Sequence, residues 1–185
     1  QDNPIDAFIG RKLKSAGFVS APQAHFRTLV KRAYYDLTGL PPTPYQIYQF
    51  RLSWDKNPAK AWDELINQLL DSPHYGERWG QHWLDVARYA DTGGYSNDYE
   101  RSNAWRYRDY VIRAFNEDKP YDSFVREQIA GDLLKPPKNE SDTEEHARKI
   151  ATGFLTVGAK MLAEDDPRKM QMDIIDEPVS YTHLT

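Results

Sequence analysis

Cysteine is missing from all 185 residues, and its absence rules out disulfide frameworks, thiolate nucleophiles, zinc knuckles and covalent haem attachment within them. No apolar run approaches the ~20 residues of a membrane span. The opening QDNPIDAF has neither an initiator Met nor a basic stretch leading into an apolar one, so the chain reads as a piece of a longer polypeptide whose compartment this end does not reveal. A basic excess is lacking too: 24 Lys and Arg stand against 28 Asp and Glu. With a pI near 5.7, a general nucleic-acid or anionic-membrane binder is disfavoured, because phosphate contacts need a basic field. Neither a GxSxG elbow nor a P-loop occurs.

What the chain does contain is proline in helix-starting positions. Asn3-Pro4, Thr43-Pro44, Asn57-Pro58, Ser72-Pro73 and Asp166-Pro167 each place proline after a good N-cap residue. The side-chain oxygen can accept a free amide, and proline at the first helical position has the right φ and no N–H to satisfy. Apolar stripes agree with helices: Ile5, Phe8, Ile9 and Leu13; Phe26, Leu29, Val30, Ala33, Tyr34 and Leu37; Trp62, Leu65, Ile66, Leu69 and Leu70. Strand-like alternation is confined to Phe154 to Val157. The predicted fold is an all-α, irregular multi-helix domain with long loops, spanning residues 1–177. A mean hydropathy of −0.80 is polar for this length, so the 13% aromatic content must provide much of the burial.

Three of the five tryptophans fall between Ser72 and Leu134, among charges of both signs. On the helix opened by Ser72-Pro73, Trp79, Trp83, Val86, Ala87 and Ala90 form the expected buried stripe. Arg78, His82, Asp85 and Tyr89 run along its border, so His82 and Asp85 can share one groove. That pairing suits a carboxylate-tuned acid, base or ligand; the plainer reading is a partly buried histidine packed beside tryptophan. The two histidines His74 and His82 lack the i, i+4 spacing of a helical zinc pair.

The loop Asp91 to Glu100 offers Asp91, Asn97, Asp98 and Glu100 around a Gly-Gly turn, but Gly93, Tyr95 and Ser102 fall where an EF-hand needs oxygen ligands. A capped turn fits better, and Tyr95 and Tyr99 suit a sugar or partner surface. Beyond it, Arg101, Arg106, Arg108 and Arg113 interleave with Trp105, Tyr107, Tyr110 and Phe115. These arginines are expected to pair with Asp85, Asp91, Glu127 or Asp132 on adjacent helices. After Pro120, Val125, Gln128, Ile129 and Leu133 make one expected packing face.

Taken together, YDLTGLPPTP (Tyr35 to Pro44), SPHYGERWGQHWLDVARYAD (Ser72 to Asp91), NAWRYRDYVIRAFNEDKPYD (Asn103 to Asp122) and EQIAGDLL (Glu127 to Leu134) resemble the planctomycete cytochrome-associated domain of unknown function, of the PSCyt-two type. The resemblance implies a large exported, periplasmic protein in which a c-type cytochrome domain precedes this module and a further C-terminal domain follows it. It also implies a C-x-x-C-H motif, and hence haem c, soon after a segment such as KMQMDIIDE (Lys169 to Glu177). Pro178 to Thr185, PVSYTHLT, resembles a sequencing-adapter translation, so a different native sequence is expected after Glu177.

On this reading Arg78, His82, Asp85, Arg88, Asp91, Arg106 and Arg108 form a polar wall that tunes a haem or orients a substrate. Tyr95, Tyr99 and Trp105 are the candidate ligand-binding aromatics, and no metal site is expected. Two other functions fit the same residues: a carbohydrate or anionic-polymer binding module, and a hydrolase using His82 with Asp85 or Asp91.

Overall fold

The five cap-and-proline pairs open helices as their chemistry dictates. In the computed structural model, which describes residues 3–94, 98–135, 138–139, 141–159, 166–172 and 175, Asn3 caps α1 (Pro4–Ser15), Thr43 caps α3 (Pro44–Trp54), Asn57 caps α4 (Pro58–Leu70) and Ser72 caps α5 (Pro73–Val86). Asp166 likewise accepts the Arg168 N–H at 2.9 Å, at the start of the helical stretch 167–172. The other helices are α2 (Phe26–Thr38), α6 (Trp105–Asn116), α7 (Tyr121–Ala130) and α8 (Asp142–Ala151), followed by a 3₁₀ helix, Thr152–Thr156. No strand occurs among the described residues beyond one isolated bridge between Thr92 and Glu100. The Phe154–Val157 alternation falls in the 3₁₀ helix and just after it, and the tail 178–185 lies outside the described residues.

Two clusters of buried side chains result. Val30, Ala33 and Tyr34 of α2, Phe50 of α3, and Ala61, Leu65 and Leu69 of α4 form the first. Ala87, Tyr107, Tyr110, Val111 and Ala114, with Phe124, Ala147, Ala151 and Val157, form the second. Helix α5 packs on both α2 and α6, and so joins them. Helix α1 forms as its caps demand but buries none of its side chains; Ile5, Phe8 and Ile9 are exposed.

Two helix ends re-aim the chain in ways that periodicity cannot show. At the end of α5, Arg88 takes a left-handed conformation (φ 53), the Tyr89 N–H reaches Leu84 O at 2.9 Å and the Arg88 N–H reaches Asp85 O at 3.1 Å. This is a Schellman closure in which arginine fills the position glycine usually takes. Asp118 (φ 48) does the same for α6, with the Lys119 N–H on Ala114 O at 2.9 Å. The expected α5 stripe therefore stops early. Of the expected stripe Ala87 is fully buried and Trp83 packs against the second cluster, whereas Trp79 and Val86 are exposed and Ala90 lies beyond the helix; Gly76 and Gly80 are the buried residues within α5. Likewise α7 ends at Ala130 and leaves Leu133 beyond it, exposed; within the helix Phe124 and Gln128 are buried while Ile129 is exposed.

At α8 the Glu144 carboxylate accepts the Ser141 backbone N–H at 2.7 Å, and the Ser141 hydroxyl accepts the Glu144 N–H at 3.3 Å. The bond from the Ser141 backbone, then that from its hydroxyl, holds the Glu144 carboxyl below its ordinary 4.5. A carboxyl with a depressed folded pKa contributes stability that is present above the unfolded value and lost as pH falls through the folded one. Exchange protection of the first α8 turn is therefore expected to weaken on acidification below pH 4.5. In Glu144→Gln, whose side chain does not titrate, that acid-dependent loss should vanish; a loss persisting in the variant would remove the capping box as its cause.

Candidate functional site

The site is organised by the close approach of α5 and α6. A methyl group at Gly76 would lie 2.3 Å from Ile112 O and 2.6 Å from the Asn116 carboxamide, so only glycine permits this contact. Asn116, the last residue of α6, clasps the first turn of α5: its Oδ1 accepts the Gly76 N–H at 2.7 Å and its Nδ2 donates to Pro73 O at 3.1 Å. The first amides of a helix have no partner within it, and Asn116 satisfies one of them from the neighbouring helix.

This approach brings Trp83 of α5 against Tyr107 of α6 and Gln128 of α7. The Trp83 indole N–H donates to Tyr107 Oη and to Gln128 Oε1, each at 3.0 Å, and the Tyr107 hydroxyl donates to Gln128 Oε1 at 2.5 Å. Gln128 is 1% exposed, and its acceptor oxygen serves both aromatic donors. Beside this knot, the Tyr110 hydroxyl donates to Glu127 Oε2 at 2.8 Å. The Lys119 ammonium pairs with the same oxygen at 2.6 Å and lies 5.3 Å from the Tyr110 ring centroid. Burial first, then the Glu127 bond, pushes the Tyr110 phenol well above its ordinary value. The Schellman turn at Asp118 is what points Lys119 this way. These groups face a cleft of about 920 Å³ shared by α6, α7 and α8, which Arg113, Thr143 and the buried Arg148 also line.

The residues singled out from the sequence lie mostly elsewhere and in separate groups. Tyr89 donates to Asp91 Oδ1 at 2.6 Å, and Arg108 acts electrostatically on both. Burial first, then the Asp91 bond, raises the Tyr89 phenol, and Asp109, at 2.9 Å, is the main group holding Arg108 more firmly protonated. Arg78 packs against Gly39 at the end of α2, with its buried Nε unpartnered. Arg106 lies 5.4 Å over the ring of exposed Trp105. His82 is exposed and meets the edge of Trp79 at 5.5 Å, and Asp85, Arg88 and Tyr99 are exposed as well. The histidine–carboxylate contact on this helix is His74 Nδ1 to Glu77 at 2.7 Å.

Tyr95 and Asn97 lie outside the described residues. In the same loop, Asp98 accepts the Gly94 N–H at 2.9 Å, and its carboxyl is lowered chiefly by Thr92. Among the described residues no three His, Asp or Glu side chains gather as a metal site would require, and no helix is long and apolar enough to cross a membrane.

The arginine pairing expected between helices does not form. Arg101 instead donates to the Val157 and Gly158 carbonyls, each at 2.6 Å, tying the Asp91–Glu100 loop to the end of the 3₁₀ helix. Arg108 and Arg113 pair within α6 or at its end, with Asp109 and Glu117. Among the described residues the ionic contact that joins two segments is Lys119 with Glu127, and Gln128 is the buried polar centre. In the sequence Glu127 is an expected arginine partner and Gln128 a member of a packing face, while Lys119 is not singled out. The available signal was a glutamine recurring four residues after a buried aromatic, with a carboxylate beside it.

No match was found among curated proteins or among solved structures. A family model does match, over residues 4–184, and the chain belongs to that family, PSCyt2, described as a protein of unknown function (DUF1549).

Proposed function

We propose that this chain is a helical supporting module of a larger, exported c-type cytochrome-like protein, and that it offers one face of α5 to a haem-bearing part of the same polypeptide. The observation that supports this is the ring ladder on α5. Tyr75 and Trp79 lie 6.1 Å apart, Trp79 and His82 5.5 Å apart, and exposed Val86 continues the strip. The exposed Trp79 ring and His82 imidazole, with half-buried Tyr75 beside them, suit an apolar, planar partner better than they suit water. The Trp83, Tyr107 and Gln128 side chains, by contrast, bond one another.

A chain without cysteine cannot attach haem c itself, so its part is to pack against a haem attached elsewhere and, through His82, to ligate iron or hold a proton near it. A haem so placed would supply one-electron chemistry; the residues here would shape its surroundings and exclude water. This reading carries an extracytoplasmic location with it.

In the intact parent protein, His82→Ala is expected to change the haem spectrum or potential while leaving helix content unchanged. A spectrum and potential equal to wild type would take His82 out of the haem site. The second reading, a carbohydrate-binding face, is favoured by exposed Tyr99 and by Trp105 with Arg106 stacked on it. Under that reading Trp105→Ala, made alongside, removes polysaccharide retention and leaves the haem untouched.

A further inference from the structure

Three tyrosines form a column through the second cluster. The rings of Tyr89 and Tyr107 are 6.4 Å apart and 26° from parallel; those of Tyr107 and Tyr110 are 6.4 Å apart and 27° from parallel. The hydrogen bonds differ along the column. Each end donates to a carboxylate, Tyr89 to Asp91 at 2.6 Å and Tyr110 to Glu127 at 2.8 Å, whereas the middle phenol donates to the amide oxygen of Gln128. A carboxylate within this distance can accept a phenolic proton, and an amide oxygen is far too weak a base to do so.

We propose that the column is a proton-coupled one-electron relay, carrying an oxidising equivalent from Tyr89, near the surface, to Tyr110 at the α6–α8 cleft. In the first step an outer-sphere one-electron oxidant takes an electron from Tyr89. The Tyr89 O–H bond breaks and its proton bonds to Asp91, leaving a neutral tyrosyl radical and an oxidant reduced by one electron. In the second step an electron passes from Tyr110 through the Tyr107 ring to the Tyr89 radical. Tyr89 recovers its proton from Asp91 while the Tyr110 proton passes to Glu127. The net change is one electron lost from Tyr110, one proton gained by Glu127 and one electron gained by the oxidant.

Coupling to the proton is required at both ends. Burial and the adjacent carboxylate keep both phenols protonated, so no phenolate is present to oxidise, and a phenol that loses an electron becomes strongly acidic. Tyr107 directs its phenolic proton at the Gln128 amide oxygen and serves as the bridge. The relay is independent of the haem reading, because any one-electron oxidant of sufficient potential can drive it.

The test uses the intact chain with photogenerated ruthenium(III) tris-bipyridine as oxidant, and electron paramagnetic resonance of freeze-trapped samples. The chain has 12 tyrosines, so the assignment needs variants. Wild type is expected to give a tyrosyl signal with the Tyr110 line shape, formed more slowly in deuterated water. Tyr110→Phe keeps the stacked ring and should lose that line shape, leaving the Tyr89 radical. Glu127→Gln should lose it as well although Tyr110 is intact, which a purely structural tyrosine would not do. A wild-type line shape and yield in both variants, or a wild-type spectrum showing only tryptophan radical, overturns the proposal.

Discussion

Gly76→Ala is expected to destabilise the protein by about 2 kcal/mol or more through overpacking, a fall of about 4–8 °C in melting temperature for a chain of this size. The new methyl would lie 2.3 Å from Ile112 O and 2.6 Å from the Asn116 carboxamide. Neither can yield freely, since one is helix backbone and the other holds the first turn of α5. The Gly76–Asn116 bond of 2.7 Å would be lost in any relaxation. Gly80→Ala on the same face is the control. Its methyl would meet Ile112 and Val111 at 3.5 Å, an ordinary contact, and the exchange raises helix propensity by up to about 1 kcal/mol. Thermal melts of the two variants should therefore diverge, one falling and the other holding or rising. An equal fall in both would show that the α5–α6 contact is set by something other than the approach at Gly76.

That contrast also marks how far the sequence could be read. The helix starts were legible because a cap and a following proline act locally: the amide that Asn3, Thr43, Asn57, Ser72 or Asp166 satisfies is two or three residues away. The α2 and α4 stripes were legible because their neighbours are close in sequence and the buried sides are wide. What failed was any inference that needed a helix to continue. Of the α5 stripe expected to run to Ala90, Trp83 and Ala87 pack inward, but Arg88 turns the chain left-handed before Ala90, and the buried residues within the helix are Gly76 and Gly80, which have no hydrophobicity to count. The site was less legible still. Arginine, with five donors, finds backbone carbonyls as readily as carboxylates, so Arg101 ended on Val157 and Gly158 rather than on an acidic partner. The helix pairing that sets Trp83, Tyr107 and Gln128 together spans 45 positions, and no periodicity reaches so far.

The buried knot those three residues form should respond asymmetrically to losing a donor or its acceptor. Tyr107→Phe removes one hydroxyl and leaves the Trp83 indole still donating to Gln128 at 3.0 Å; a loss of about 1 kcal/mol is expected, the net value of one hydrogen bond. Gln128→Leu nearly preserves volume but removes the shared acceptor. The Tyr107 hydroxyl, in a residue 3% exposed, then loses the amide oxygen that takes its proton. An unsatisfied buried donor forfeits its full desolvation energy, and the weaker bond from Gln128 Nε2 to Phe124 O is lost too, so about 2–3 kcal/mol is expected to go. Urea unfolding of both variants, with unchanged slopes, measures the difference directly. Near-ultraviolet dichroism should show the Trp83 environment disturbed in both variants, which each remove one acceptor of its indole N–H, and more strongly in Gln128→Leu. If Tyr107→Phe proves as damaging as Gln128→Leu, the glutamine is not the centre of the knot, and the packing of Tyr107 between Tyr89 and Tyr110 must carry the stability instead.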